Sequence, residues 1–302
     1  MAGTADGFKA KADEFQRHHA AAGFAYGVIK KVGDDKGSQL AALITYYGFF
    51  SLFPLLLVAF TILGFVLEGN DSLRADIADT LQRRLPLPGI TADSISGSGF
   101  ALVVGVLLSL WAGLGATQVA QDALNTIWDV PRKKQPKFVK KRLTGLGILA
   151  VIGVGLLAAT AASSLAGFLG PAAGVGGAVA SAALNSLVIA ALFKVMVERK
   201  LSWAEIRWGA LVGGVGWTAL QLIGGWYTQR LVDNADKTYG TFAVVIGMLS
   251  WIYLQAQVFV YAAEVASVSS RRLWPRALVV DNPTEADRKV TQALVERSKP
   301  PT

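Results

Sequence analysis

Apolar positions in this chain gather into six long runs, at roughly residues 40–67, 100–127, 143–169, 172–197, 207–231 and 240–268. Each run exceeds the ~20 mostly apolar residues that a helix needs to cross a bilayer. None alternates strictly between polar and apolar positions, as a barrel strand would. The pattern predicts an all-α integral membrane protein with six transmembrane helices.

Residues 8–29 read differently. Phe8, Ala12, Phe15, His19, Ala22, Tyr26 and Ile29 recur at alternating steps of four and three, while Lys9, Lys11 and Arg17 lie off that face. The spacing predicts an amphipathic helix lying in the membrane interface; packing beneath the bundle is the alternative. In the 68–99 loop, Leu73, Ile77, Leu81 and Leu85 recur at steps of four, with Asn70 or Asp71 able to cap the start and PLPG to stop it. That predicts a short external amphipathic helix. The connection GPAAGVGG between the third and fourth runs reads as a tight uncharged turn. The resulting organisation is a cytoplasmic N-terminal segment (1–39), a six-helix domain (40–268) and a cytoplasmic polar tail (269–302), disordered over 281–302.

Composition supports the bilayer. Of 302 residues 53% are hydrophobic and 17% charged, and the mean hydropathy is +0.44; soluble domains carry about 25% charged residues. The net charge of +8 could suggest nucleic acid, but its distribution orients a membrane protein instead. Of the 29 Lys and Arg residues, 24 fall before the first run, between the second and third, around the turn between the fourth and fifth, and after the sixth. The other side holds Arg74, Arg83, Arg84, Arg230 and Lys237. Basic residues collect on the cytoplasmic side, so both termini are expected inside. The first 39 residues lack an apolar core with a small-residue cleavage site, so the first span is expected to act as an uncleaved anchor. Cysteine is absent, which excludes disulfides, thiolate metal sites and thiol nucleophiles. His18 and His19, the only histidines, point about 100° apart on a helix and make a poor metal site.

Small residues at four-residue spacing, Gly170–Gly174 and Gly209–Gly213, let helix backbones approach closely in lipid. Spans three to five are therefore expected to pack most tightly. The run PRKKQPKFVKKR supplies Arg132, Lys133, Lys134, Lys137, Lys140, Lys141 and Arg142. It reads as a topology determinant resting on the anionic leaflet, with specific anionic-lipid contact as the alternative.

Several stretches resemble the YihY / virulence-factor BrkB family of bacterial inner-membrane proteins, which includes the YhjD-type envelope proteins. They are AALITYYGFFSLFPLLL (41–57), ALNTIWDVPRKK (123–134), LSWAEIRWGALVGGVGWTAL (201–220) and YGTFAVVIGMLSWIYLQAQVFVYAAEV (239–265). The resemblance covers about residues 25 to 270 and implies six spans with both ends inside. Family members often carry an asparagine two positions after the glutamate of the last stretch. Here that position is Ala266, so any binding that used the asparagine would differ. The resemblance links the chain to envelope integrity and to moving envelope lipids or other solutes. An old ribonuclease label on the family is not considered sound.

Polar positions within the spans supply the candidate chemistry. Gln257, Tyr261 and Glu264 share a face of the sixth span; Gln255 falls off it. Gln118, Gln121, Asp122, Asn125 and Asp129 form a stripe near the cytoplasmic end of the second. Tyr47, Ser51 and Pro54 share a face of the first, where Pro54 is a candidate hinge because it removes a backbone hydrogen bond. An ionisable residue inside a span is a functional hypothesis by default. The expectation is a polar cavity lined by these groups and open to the cytoplasm, from which Glu264 could exchange a proton. The structural alternative is a helix-end Glu264, or one paired with Lys194 from the fourth span.

No HExxH, GxSxG or P-loop occurs, so an enzyme is not expected, and neither is a cofactor or metal. Expected partners are membrane lipids, with anionic headgroups on the cytoplasmic face, and, as an open option, further copies of the same chain. Nucleic acid is not among them. The location read from the sequence is the bacterial inner membrane, multi-pass. The function read from it is transport or export of a lipid or envelope-related solute, with a non-transporting scaffold for envelope assembly as the alternative.

Overall fold

A computed structural model describes residues 2–68, 75, 98–168, 173–238, 241–279 and 282–298, with backbone only at 2–9, 132, 156–168, 173–175, 225, 228–238, 241 and 243. Among the described residues every regular element is helical. In chain order these are α1 (Ala2–His18), α2 (Ala20–Asp34), α3 (Gly37–Val66), α4 (Gly99–Ile127), α5 (Phe138–Phe168), α6 (Ala173–Met196), α7 (Trp203–Thr238), α8 (Thr241–Arg271) and α9 (Glu285–Ser298). A single 3₁₀ turn, Arg132–Lys134, precedes α5.

Four described stretches are long and apolar enough to cross a membrane: Gly37–Val66, Gly99–Ile127, Gly176–Met196 and Val244–Arg271. The runs at 143–169 and 207–231 lie on α5 and α7. The described part of α5 opens on Lys140, Lys141 and Arg142, and that of α7 on Glu205 and Arg207. Neither reaches the same apolar length within those bounds. The helix expected at 70–85, the turn at 170–177 and the Gly170–Gly174 pair fall wholly or partly outside the described residues.

The chain divides into two compact units whose boundaries fall inside helices. The first comprises residues 1–41, 120–219 and 257–302; the second comprises 42–119 and 220–256. The first unit holds the knitted core. Val28 and Val32 of α2, Val265 and Val268 of α8, Leu273 of the connection that follows and Val290 of α9 bury one another, flanked by Phe24, Trp274 and Leu294. Glycine brings α7 against its neighbours. A Cβ at Gly209 would collide with the Ala262 carbonyl and lie 2.5 Å from the Ala266 Cβ, and one at Gly213 would lie 2.8 Å from the Ala262 Cβ. The Gly209–Gly213 spacing thus packs α7 on α8. Ala266, fully buried, keeps that approach open where a larger side chain would not.

Three helices in this unit end on a non-glycine residue in the left-handed region: Lys36, Asp129 and Arg272, at φ of 56°, 51° and 51°. At Asp129 the amide bonds the Thr126 carbonyl at 3.0 Å and the Val130 amide bonds the Asn125 carbonyl at 2.8 Å. This is the double hydrogen bond of a Schellman end, at a position where glycine is usual.

Both ends of the chain depart from the sequence expectation. The single helix expected over 8–29 is broken, because His19 is extended at φ −113° and ψ 103°. Its aromatic face does not pack inward: Phe15 and Ile29 are 56% and 60% exposed, while Asp13, Gln16, Gly23, Gly27, Val28, Lys31 and Val32 are buried. The inward face is chosen by hydrogen bonds to the C-terminal segment and by glycines that admit it. Gln16 donates to the Arg276 carbonyl at 2.6 Å, the Leu278 amide donates to Asp13 at 2.8 Å, and a Cβ at Gly27 would meet the Trp274 Cβ at 2.9 Å.

The tail expected to be disordered contains α9. Thr284 and Asp287 form a reciprocal cap: the Thr284 amide donates to the Asp287 carboxylate at 2.9 Å and the Asp287 amide to the Thr284 hydroxyl at 3.2 Å. Asp287 also accepts from Arg276 Nε at 2.7 Å, the Ala277 amide at 2.9 Å and Lys30 at 3.0 Å. Burial pushes its carboxyl up, but the Arg276 guanidinium and the Ala277 and Thr284 amides outweigh that and hold it below the ordinary carboxylate range.

The second unit turns large apolar side chains outward. Phe50, Phe53, Trp111 and Phe100 are 52%, 53%, 69% and 82% exposed, as suits surfaces solvated by lipid tails. Three of its buried hydroxyls bond backward to their own helices: Ser51 to Gly48 at 2.7 Å, Thr61 to Leu57 at 2.7 Å and Thr117 to Leu114 at 3.0 Å. Helix α3 continues through Pro54 to Val66.

Candidate functional site

The first unit contains a charge cluster assembled from helix ends. Lys31, on the last turn of α2, is completely buried and pairs with Asp35 four residues on. Its ammonium also reaches the Ile127 carbonyl at 3.3 Å and Asp129 at 3.7 Å. Asp35 takes Arg297 of α9 on its other oxygen at 2.8 Å. Arg297 further binds Asp129 at 3.1 Å and the Thr126 carbonyl at 2.7 Å. Asp129 is completed by Arg271 of α8 at 2.7 Å, and Ser267 caps the Ile127 carbonyl at 3.1 Å. The left-handed backbone at Asp129 thus places its carboxylate among three cations.

Glu264 enters this cluster from α8. Its side chain is fully buried, and among the described residues neither carboxylate oxygen meets a hydrogen-bond donor. The charged groups around it are Lys31, Asp35 and Asp129. A carboxyl facing the Asp35 carboxyl can hydrogen-bond to it only when one of the two carries a proton. With all six groups ionised the cluster is neutral, since Lys31, Arg271 and Arg297 balance Asp35, Asp129 and Glu264. The two aspartates, however, take up all three cations, and the glutamate has none of its own.

Beside this cluster lies a cavity of about 360 Å³ whose wall includes Trp128, Asp129, Lys134, Arg199, Arg271 and Glu296. Glu198, also in the wall, pairs with Lys140, and its amide donates to Asn125 at 2.9 Å. Arg199 pairs with Glu205, which closes a reciprocal cap at the start of α7. The Ser202 amide and hydroxyl donate to Glu205 at 2.8 and 3.0 Å. The Ser202 amide foremost, with its hydroxyl and Arg199, keeps the Glu205 carboxyl below its ordinary value.

The residues expected to line one cavity are divided between the two units. Tyr47, Ser51, Pro54 and Gln118 belong to the second unit; Gln121, Asp122, Asn125, Gln257, Tyr261 and Glu264 belong to the first. Tyr47 is 40% exposed and rests against Tyr46, and the Ser51 hydroxyl stays on its own helix. Gln121 is buried and donates to the Lys141 carbonyl at 3.3 Å. Asp122 does not join Glu264. It lies at the surface, gripped by Lys141 at 2.6 and 2.7 Å, because the basic run of α5 offers a nearer counter-ion. Gln257 is partly buried, while Tyr261 is 39% exposed.

Lys194 does not pair with Glu264 either; its ammonium sits 4.2 Å from the centre of the Trp203 ring, on the exposed surface. In the basic run, Lys133, Lys134 and Lys137 are exposed and Arg142 lies 4.4 Å over Phe138. The Arg132 side chain is outside the described residues.

Sequence reasoning picked out Glu264, but it missed Lys31, Asp35, Arg271 and Arg297 and left Asp129 on a helix stripe. One signal was legible: Lys31 and Asp35 stand four apart at the end of α2, an ion-pair spacing.

Comparison with known proteins agrees with a membrane location. The chain is similar to the inner membrane protein YhjD of Escherichia coli (22% identical over 275 residues, 82% of this chain and 81% of that protein). It is also similar to the ribonuclease-like protein YfkH of Bacillus subtilis (23% over 259 residues, 78% and 91%), and to a UPF0761 membrane protein of Pseudomonas paraeruginosa (24% over 266 residues, 84% and 64%). No solved structure matches. The family described as virulence factor BrkB matches residues 28–286. These relatives and the apolar helices identify a multi-pass protein of the bacterial cell membrane, and the chain belongs to the virulence factor BrkB family.

Proposed function

We propose that this protein moves a lipid or other envelope-related solute across the inner membrane, through six spans with both termini in the cytoplasm. The observation that carries the reading is Glu264, a fully buried carboxylate without a donor among the described residues, in a charge cluster whose Asp129 and Arg271 line a cavity. Buried charge is expensive in such a setting and is retained where it serves a pathway. In this reading the solute enters from the cytoplasmic side at the cavity, and the exposed lysines of the 131–142 run hold anionic headgroups nearby. The protein is not an enzyme. The structural reading has its own support, since Arg297 and Arg276 tie both ends of the chain together, as a scaffold for envelope assembly would require.

The two readings part on one substitution. Glu264→Gln keeps shape and removes the charge. A transporter loses complementation of a deletion strain under envelope stress while its abundance and melting temperature hold. A scaffold complements as well as the parent, and that result would sink the transport reading. Incubating the purified protein with RNA and Mg²⁺ tests the remaining alternative, and cleavage would restore a nuclease role.

A further inference from the structure

We propose that the cavity beside Trp128 is a binding site for a phosphate-bearing group. The binding claim stands on the cavity itself; only the claim that this group is the transported cargo rests on the transport reading above.

The cavity, about 360 Å³, falls within the size range of small-molecule sites. Its wall carries more free donors than free acceptors. Trp128 is 2% exposed, and its indole N–H, fully buried, meets no acceptor among the described residues. A buried donor is normally satisfied. Lys134 stands exposed at the rim. Arg199 spends one nitrogen on Glu205 and Arg271 one on Asp129, which leaves each guanidinium further N–H groups.

The acceptors, by contrast, are largely engaged. Both Asp129 oxygens take arginine, and Glu198 takes Lys140. Glu296 is the remaining carboxylate, on the exposed side of α9. A ligand that complements this wall must therefore be rich in acceptors and negative. Two guanidinium groups, an ammonium and an indole N–H suit a group with three acceptor oxygens, which a phosphate monoester has; a diester headgroup offers fewer charges to the same donors.

Two sources share that chemistry, a soluble phosphate ester and a lipid headgroup. The full chain in phosphatidylcholine nanodiscs is titrated with glycerol 3-phosphate by calorimetry, against sodium chloride at equal ionic strength. In a second arm, phosphatidic acid, whose headgroup is a phosphate monoester, is mixed into the nanodiscs and lipid retained on the protein is counted by native mass spectrometry. Saturable binding in the first arm assigns a soluble ester, and retention confined to the second assigns a lipid headgroup; either supports the site. In whichever arm binds, Lys134→Gln is expected to weaken binding about tenfold, the loss of one charge-assisted hydrogen bond. Glu296→Gln is expected to tighten it. Both positions are exposed, so folding is preserved. No saturable binding in either arm, or binding indifferent to both substitutions, overturns the proposal. Binding without transfer in proteoliposomes would keep the site and remove the transport reading; transfer without phosphate binding would do the reverse.

Discussion

Asp129 and Thr61 are both polar side chains withdrawn from solvent, in the first and second units respectively, and they are answered in opposite ways. Thr61, 2% exposed, returns its hydroxyl to the Leu57 carbonyl on its own helix at 2.7 Å. Asp129 is met by Arg271, Arg297 and Lys31, from the far ends of the chain. The ion pairs named above all lie in the first unit, whereas Ser51, Thr61 and Thr117 of the second close one turn back. A turn-closing hydroxyl depends on no other element and can face lipid. A network spread over α2, α4, α8 and α9 fixes those elements together, and with the Arg276–Asp287 pair it holds charge inside the first unit. Fold specificity and candidate chemistry therefore share the same residues in the first unit. The second unit offers an apolar surface.

The largest expected effect comes from Lys31. Replacing it with Met removes the ammonium common to Asp35 and Asp129, next to Glu264, and leaves carboxylates uncompensated at a fully buried position. Breaking one partner of a buried pair costs about 3–5 kcal/mol. Thermal unfolding in nanodiscs should show Lys31→Met as the least stable single variant of the set. A loss no larger than that of a surface ion pair would mean that the cluster does not organise the first unit.

Glycine packing gives the next contrast. An alanine at Gly214 would strike Ser186 and lie 2.7 Å from the Ala182 carbonyl, whereas at Gly48 in the second unit the nearest atom is Ile252 Cγ2 at 3.6 Å. Gly214→Ala is expected to destabilise by about 1–3 kcal/mol through overpacking. Gly48→Ala should be neutral or slightly stabilising, because alanine is the better helix former by about 1 kcal/mol. Equal melting temperatures for the two would mean that the close approach at Gly214 adds nothing to stability.

These contrasts also mark how far the sequence could be read. Helical class and membrane location followed from uninterrupted apolar runs, because lipid leaves few other solutions for the backbone. A close approach at Gly209–Gly213 followed from spacing, but its partner did not: the pair meets Ala262 and Ala266 of α8, the sixth run, where spans three to five were expected to pack most tightly. The ionic cluster did not, because its members come from positions 31, 35, 129, 264, 271 and 297, and no local periodicity links them. Asp122 and Asp129 look alike on the α4 stripe. Only the left-handed turn at Asp129 sends one inward, while Lys141 holds the other at the surface. The C-terminal helix was legible and missed: Ala286, Val290 and Leu294 recur at steps of four, behind the Thr284–Asp287 cap. Its overall polarity hid a narrow apolar stripe that joins Val28, Val32, Val265, Val268 and Leu273 in one core.

Asp129 separates backbone from charge. Asp129→Gly loses the carboxylate but relaxes the left-handed turn at φ 51°, while Asp129→Ala loses the carboxylate and keeps the strain. The alanine variant should be the less stable by about 1 kcal/mol. If alanine equals glycine, the turn is not strained and the carboxylate alone explains the residue.

Docking of α9 has a pH signature. Because the Asp287 carboxyl is held below its ordinary value, it stabilises the docked helix fully above the unfolded-state pKa of about 3.9 and loses that contribution as pH falls further. Lowering the pH from 7 to 5 should therefore leave α9 protected from proteolysis after Arg288 and Lys289. Protection should fade only below about pH 4 and should already be weakened at neutral pH in Asp287→Asn. Release between pH 7 and 5 would mean that some other group governs the latch.

The smallest expected effect lies in the second unit and bears on the pathway. Among the described residues the Ser51 hydroxyl bonds the Gly48 carbonyl alone, at 2.7 Å, and a helix carbonyl keeps its main-chain partner when such a hydroxyl is removed. Ser51→Ala should thus change stability by no more than about 0.5 kcal/mol. Activity is where the variant is informative. If solute passes along the Tyr47–Ser51 face, the alanine variant should complement a deletion strain poorly while melting like the parent. If the polar work is confined to the first unit, it should be indistinguishable from the parent in both measurements, and only first-unit substitutions such as Glu264→Gln should impair function.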